Sequence, residues 1–139
     1  MTALERLKLE RSRLELERLR QWQDWAQREL LDNSIPVPFS GCRLWLGEIS
    51  NRGYGLWRGH QAHRESYRAF RGEIPIGLLI CHHCDVKLCV EPTHLYVGTH
   101  GDNVRDAWMR SPKMQQIRRE GLLGKRPRIN GRWVAAGVR

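Results

Sequence analysis

The sequence lacks the features of a membrane or secreted protein. None of its apolar runs approaches the roughly 18 residues that a membrane helix needs. The chain starts Met-Thr-Ala-Leu-Glu-Arg, without the apolar stretch of a secretory signal peptide. Only 40% of the 139 residues are hydrophobic, so the core is modest for the length. We therefore expect an intracellular, cytoplasmic protein with one main domain and extensions.

Acidic residues are outnumbered, with 15 Asp and Glu against 24 Lys and Arg, for a net charge of +9. The excess is uneven along the chain. Residues 1–32 hold seven basic and seven acidic side chains, whereas residues 104–139 hold ten basic and two acidic ones. A basic C-terminal arm of this kind favours binding to a polyanion such as DNA or RNA. A merely solubilising tail is the alternative.

Cysteine is scarce, yet three of the four cysteines and three of the six histidines lie within residues 81–95. In an intracellular protein such a cluster favours metal binding over disulfides. Cys84, Cys89 and His94 follow one another at the short spacings of a structural zinc site, which requires a fourth ligand. Cys42 and Cys81 are the candidates. We favour Cys42, which would tie a distant strand to the cluster, whereas Cys81 is expected to face the core.

Glycine and proline are absent from residues 3–31, which are rich in Leu, Arg, Glu and Gln and predict one long helix. Its leucines do not form a clean heptad seam. We expect Trp22 and Trp25 to pack this helix against its own domain or against a second copy of the chain. Residues 32–38, with two prolines, predict a linker.

Short strands and turns are predicted over residues 41–67, with a turn at 59–61 and a short helix from Arg64 to Arg71. A strand follows that ends in His82 and His83, whose side chains should point to opposite faces. Its partner strand over 95–98 leads into a helix expected from about His100 to Arg110. Two strands followed by a helix form a ββα unit.

A longer pattern extends across this unit: His82-x-Cys84-x4-Cys89-x-Glu91-Pro92-x-His94-Leu95, followed by Gly98-Thr99-x3-Asn103. It resembles the HNH endonucleases of phage and intron type, which belong to the His-Me finger superfamily. The spacing is especially similar to that of the His-Cys box homing endonucleases. The earlier segment from Cys42 to Arg64 also resembles the HNH pattern. One departure is Glu91, where the family typically has asparagine before the proline.

The resemblance implies an α+β fold with a small antiparallel β-region and a zinc-stapled ββα-metal motif. To this we add a long N-terminal helix and the basic C-terminal arm. The expected divisions are residues 1–34 for the helix, 41–110 for the nuclease domain and 111–139 for the arm.

By the same resemblance, His82 is the general base and Asn103 binds the catalytic Mg²⁺, for which Mn²⁺ can substitute. Arg64, or else His63, contacts the cleaved phosphate. The resemblance also implies four structural Zn²⁺ ligands. Three are the closely spaced Cys84, Cys89 and His94, and the fourth is the upstream Cys42. The implied function is a Mg²⁺-dependent endonuclease that cuts or nicks double-stranded DNA, of phage or homing type.

Two alternatives remain open. A zinc-stapled DNA-binding or packaging factor would keep the zinc site and the basic arm but would need neither His82 nor Asn103. RNA in place of DNA is the other, since basic charge does not distinguish the two polymers. A homodimer formed through the N-terminal helix would let one small site on each copy cut one strand.

Overall fold

The structure, a computed structural model, describes residues 1–119 and the backbone of 128–129 and 132–133. This part of the chain combines helices with short antiparallel strands, so the predicted α+β class is confirmed. It divides into two compact units, residues 1–99 and residues 100–139. Within the described residues, no helix has both the length and the hydropathy required to cross a bilayer.

The first unit contains two α-helices, seven short strands and a 3-10 turn. In chain order these are α1 (Ala3–Asp32), β1 (Ser34–Pro36), β2 (Arg43–Trp45), β3 (Glu48–Ile49), β4 (Gly55–Trp57), β5 (His60–Gln61), α2 (Ala62–Phe70), β6 (Leu79–His82), the 3-10 turn (Pro92–His94) and β7 (Leu95–Gly98). All strand pairs are antiparallel: β1 with β2, β4 with both β3 and β5, and β6 with β7.

Helix α1 confirms the predicted N-terminal helix. Thr2 and Glu5 form a capping box at its start, which satisfies backbone N–H groups that lack partners within the helix. The side chains of its residues 3–21 are exposed, and full burial begins only near its C-terminal end, where Ala26 and Leu30 enter the core. Gln27 Nε2 donates to the Ala69 carbonyl of α2 at 2.8 Å. The C-terminal third of α1 is therefore the part that anchors it.

Trp22 and Trp25 pack against the core of the first unit, which settles their role in favour of intramolecular packing. The same core contains Trp45, which is 4% exposed and donates from Nε1 to the carbonyls of Glu48 and Leu56. Gly55 lies against the Trp45 ring, and a Cβ there would come within 2.6 Å of Cδ1. Only glycine fits this position without displacing the indole.

Three local predictions differ from the structure. Residues 34–36 are not linker, because they pair with β2 and gain backbone hydrogen bonds that composition does not reveal. The predicted turn at 59–61 lies one residue earlier, at Arg58 and Gly59, which leaves His60 and Gln61 free to pair with β4. Helix α2 starts at Ala62 rather than Arg64, because tertiary burial of Ala62 extends it. Its start therefore includes His63.

The second unit begins with α3 (His100–Arg110) and α4 (Pro112–Arg119), and a short ladder pairs β8 (Arg128–Ile129) with β9 (Arg132–Trp133). The predicted helix from His100 to Arg110 is confirmed. Ser111 Oγ accepts a hydrogen bond from the backbone N–H of Met114 and so caps α4. The rest of the predicted basic arm, at 120–127, 130–131 and 134–139, lies outside the described residues.

Candidate functional site

Strand β2 is hydrogen-bonded to the cysteine-containing segment that follows β6. The backbone N–H of Trp45 donates to the Leu88 carbonyl at 2.9 Å, and that of Val90 donates to the Arg43 carbonyl at 2.7 Å. Because Cys42 directly precedes β2, these bonds carry its side chain to Cys89. Backbone pairing thus brings the two cysteines together in space although they are far apart in the sequence.

Four side chains form a compact cluster at this junction: Cys42, Cys84, Cys89 and His94. Their ligand atoms all lie within 4.8 Å of one another. His94 Nδ1 is 3.5 Å from Sγ of both Cys42 and Cys89. Zinc bonds of about 2.3 Å to sulfur and 2.0–2.1 Å to nitrogen at a tetrahedral angle require an S···N separation of about 3.6 Å. The donor set and its spacing therefore fit a tetrahedral zinc ion.

Cys81 is not part of this cluster. It lies on β6, is 3% exposed and pairs in register with Tyr96 of β7. Of the two candidate fourth ligands, the structure thus brings Cys42 and not Cys81 to the other three.

Burial raises the pKa of both Cys84 and Cys89, that of Cys89 to about 12. Backbone hydrogen bonds from Arg43 and Glu91 act on Cys89 in the opposite direction. Thiols of this kind are protonated at neutral pH unless a cation replaces the proton. Metal binding here is therefore coupled to proton release.

His82 lies at the end of β6 and is 8% exposed. Its Nε2 is 2.9 Å from the Cys89 carbonyl oxygen. Because a carbonyl oxygen only accepts, Nε2 carries the proton and Nδ1 carries the lone pair of the neutral ring. Burial lowers the pKa of His82, against opposing effects of the Cys89 carbonyl and Asp85. The result is a neutral imidazole whose orientation is fixed by the backbone of the cysteine cluster.

His83, the next residue, is exposed and stacks on Tyr96 with ring centroids 4.2 Å apart. The predicted opposite orientation of His82 and His83 is therefore confirmed.

Two aromatic rings that the sequence did not reveal, those of His63 and Tyr54, lie beside His82. The His63 ring centroid is 4.7 Å from that of His82 and 5.4 Å from that of Tyr54. His63 is 4% exposed, and burial, with a smaller effect of His82, lowers its pKa to about 3. Its Nδ1 has no hydrogen-bond partner among the described residues. The position of the helix start is what could have revealed this contact. Because α2 begins at Ala62, His63 lies in its first turn and faces β6.

This burial makes His63 a poor phosphate contact. Its neighbour Arg64 is half-buried on α2 and donates from Nη1 to the Leu78 carbonyl at 3.3 Å. Of the two predicted phosphate contacts, Arg64 is thus the one that retains a charge and a partly accessible side chain.

Asn103 belongs to the second unit. It is half-buried and lies in the first turn of α3. Its side-chain amide offers a neutral oxygen, a donor type that Mg²⁺ accepts alongside water and phosphate oxygens.

Comparisons with known proteins agree with these features. Residues 60–105 match the family model described as HNH endonuclease, a range that includes His82, Cys84, Cys89, His94 and Asn103. The chain is 35% identical over 80 residues to Protein 2.8 of Escherichia phage T7, covering 57% of this chain and 58% of that protein. It is 35% identical over 69 residues to Protein 7.7 of the same phage, covering 47% and 53%.

The matches thus span little more than half the length of these phage relatives. No solved structure matches the chain significantly. The family match supports a nuclease activity. The matched range, residues 60–105, includes the sequence pattern from His82 to Asn103 that resembles the HNH endonucleases.

Proposed function

We propose that the protein is a Mg²⁺-dependent endonuclease that hydrolyses phosphodiester bonds of double-stranded DNA. The observation that carries this proposal is His82, a buried neutral histidine bound through Nε2 to the Cys89 carbonyl, inside the segment that matches the HNH endonucleases. A histidine held in one tautomer is suited to take a proton from water.

His82 acts as the general base through Nδ1. The hydrogen bond to Cys89 orients the ring, and the lowered pKa of His82 keeps it neutral near pH 7. Protonation of Nδ1 accompanies attack of the water oxygen on phosphorus. A positioned base of this kind contributes about 10²- to 10⁴-fold to a rate.

Asn103 would hold the catalytic Mg²⁺ through its side-chain oxygen, with water and phosphate oxygens as the other ligands. Mn²⁺ is expected to substitute, since it prefers the same hard ligands. When bound, the cation neutralises charge on the scissile phosphate and the leaving 3′ oxygen. Arg64 would contact a phosphate oxygen, a role suited to its planar guanidinium. The products carry a 5′-phosphate and a 3′-hydroxyl.

The cluster of Cys42, Cys84, Cys89 and His94 would hold a structural Zn²⁺. All four ligand positions are filled by protein side chains, which is typical of structural rather than catalytic zinc. The zinc would stabilise the fold by joining β2 to the segment after β6. Since His82 donates to the Cys89 carbonyl, a zinc ion held by Cys89 would also help to fix the position of the base.

Double-stranded DNA is the proposed substrate because residues 60–105 match the HNH endonucleases. The net charge of +9 suits a polyanion, and the basic residues after 104 would add contacts to phosphates outside the site. The similarity to two T7 proteins supports a phage-encoded protein that acts inside the host cell.

A homodimer through α1 is part of the same proposal. Six leucines of its N-terminal two-thirds are 37–64% exposed: Leu4, Leu7, Leu9, Leu14, Leu16 and Leu19. No residue of the first unit covers them, and the helix carries equal numbers of basic and acidic groups. Two copies of this helix can therefore pair without net repulsion. Two sites on one dimer would account for cutting both strands.

Plasmid cleavage tests the catalytic proposal. Intact protein incubated with supercoiled plasmid should yield nicked and then linear DNA when Mg²⁺ or Mn²⁺ is added, and none when both are omitted. The omission is preferable to a chelator, which would also remove zinc. Binding to plasmid without cleavage under any divalent ion would instead support the zinc-stapled DNA-binding or packaging factor. Cleavage of RNA but not DNA would overturn the substrate assignment.

A further inference from the structure

A cleft of about 310 Å³ lies in the first unit between α1, α2 and the β4–β5 hairpin. Three tryptophans line it together with four charged or titratable side chains, one of which is a carboxylate: Trp22, Trp25, Trp57, Arg58, His60, Glu65 and Arg68. We refer to it as the Trp–Arg cleft. It shares no residue with the cysteine cluster or with His82, Arg64 and Asn103.

Both arginines of the Trp–Arg cleft lie over indole rings. The guanidinium carbon of Arg58 is 4.7 Å from the Trp25 centroid, and that of Arg68 is 5.0 Å from the Trp22 centroid. A guanidinium stacked on an indole by one face keeps its other face and its N–H groups for a ligand. The two guanidinium groups therefore place positive charge over the indole rings that line the cleft.

The two arginines differ in their charge partners. Arg68 forms ion pairs with Glu65 at 3.3 Å and Glu73 at 3.6 Å. Arg58 is exposed and forms no ion pair with a carboxylate in the first unit. The positive charge that the cleft offers to a ligand thus comes from Arg58.

The backbone at Arg58 argues that its side chain matters. Arg58 has φ of +53° and Gly59 has φ of +80°, so both central residues of the two-residue turn between β4 and β5 are left-handed. Asn, Asp and Gly are favoured in such turns, and a long side chain is disfavoured there. A residue that opposes its local backbone preference is expected where its side chain has a function.

We propose that the Trp–Arg cleft binds an unpaired nucleotide of DNA, with its base stacked on the arginine-covered tryptophans and its phosphate against Arg58. Aromatic rings and guanidinium planes are the surfaces on which single-stranded bases stack. The exposed His60, which pairs with Trp57 in the hairpin, adds a second donor beside Arg58. This subsite rests on the proposed function only because it takes DNA as the partner. The proposed cleavage of a duplex does not itself require an unpaired base to be bound.

The test measures binding of the full chain to a dye-labelled oligothymidylate by fluorescence anisotropy. A base-free oligomer with the same deoxyribose-phosphate backbone is the second probe, so that stacking is separated from charge. Neither Mg²⁺ nor a chelator is added, so cleavage does not occur and zinc is retained. Arg58→Gly is the informative variant, because glycine fits the left-handed turn and the fold is preserved. Arg11→Ala removes one charge from an exposed position on α1 outside the cleft and is the matched control.

We expect intact protein to bind the oligothymidylate more tightly than the base-free oligomer. Arg58→Gly should weaken oligothymidylate binding about fivefold or more, as loss of one stacked contact does, and should reduce the preference for bases. Arg11→Ala should stay within about twofold of the intact protein. The proposal would be overturned if intact protein bound the two oligomers equally. It would also be overturned if Arg58→Gly bound the oligothymidylate as tightly as intact protein does.

The outcomes separate this subsite from the nuclease proposal. If intact protein cleaves plasmid but binds the two oligomers equally, the nuclease proposal stands and the subsite proposal fails. If intact protein cleaves no DNA but binds the oligothymidylate more tightly than the base-free oligomer, the subsite proposal stands and the nuclease proposal fails.

Discussion

Replacing Cys42 with serine should weaken zinc binding, while replacing Cys81 with serine should not. Cys42 lies with Cys84, Cys89 and His94 in the four-ligand cluster, whereas Cys81 is a buried residue of β6 outside it. Both substitutions exchange a buried sulfur for oxygen. They therefore form a matched pair in which only ligation differs.

The size of the effect follows from the number of ligands. Structural zinc sites bind with about 10–16 kcal/mol, so one of four ligands accounts for roughly 3 kcal/mol, or about 100-fold in Kd. At free zinc about 1,000 times the Kd of the intact protein, zinc stabilises the intact fold by about 4 kcal/mol. A 100-fold weaker site is then stabilised by only about 1.4 kcal/mol. For a unit of this size, the missing stabilisation corresponds to a Tm lower by more than about 10 °C.

Thermal unfolding in buffered zinc, with Kd measured by competition against a zinc indicator, would show this difference. Cys81→Ser is expected to lower Tm by some amount in all conditions, but its zinc-dependent rise should match that of the intact protein. If Cys42→Ser kept the full rise and Cys81→Ser lost it, the assignment of the fourth ligand would be wrong.

Three further outcomes are expected. Gly55→Ala should lower the free energy of unfolding in urea by about 1–3 kcal/mol, because its Cβ would lie 2.6 Å from the Trp45 ring; an unchanged midpoint would contradict that packing. The pKa of His63 is about 3 when folded and about 6.5 when unfolded, so below pH 6.5 the unfolded state binds more protons. Stability should therefore fall by on the order of a few kcal/mol as the pH drops from 6.5 toward 3, and urea titrations of His63→Gln should show a shallower fall. Finally, Leu7→Glu with Leu14→Glu should convert a dimer to a monomer in sedimentation, whereas a mass that stays unchanged at matched concentration would exclude pairing through α1.

Features with local signals were predictable from the sequence. The limits of α3 agree with the helix expected from about His100 to Arg110, and α1 follows from a long stretch without glycine or proline. The Cys84, Cys89 and His94 cluster has a short and specific spacing. For these elements the determining residues lie within or next to the element itself.

Features that depend on tertiary contacts were not predictable. The pairing of residues 34–36 with β2 involves a proline-containing segment that reads as linker. The start of α2 at Ala62 is set by burial, because Gln61 makes no side-chain capping bond. With the start misplaced by two residues, the ring contact between His63 and His82 could not be anticipated. The His82 bond to the Cys89 carbonyl likewise requires the folded backbone.

The central claim is that His82 is the catalytic base, and the adjacent His83 provides the control. Both are histidines at consecutive positions, but His82 is buried against the cysteine cluster and His83 is exposed on the other face. The decisive measurement is the rate of plasmid nicking with Mg²⁺ by intact protein, His82→Ala and His83→Ala, with zinc content and Tm recorded for each. We predict that His82→Ala loses about 100-fold or more in rate with zinc retained, while His83→Ala stays within a few-fold of intact protein. Nicking by His82→Ala at the rate of intact protein would contradict the claim.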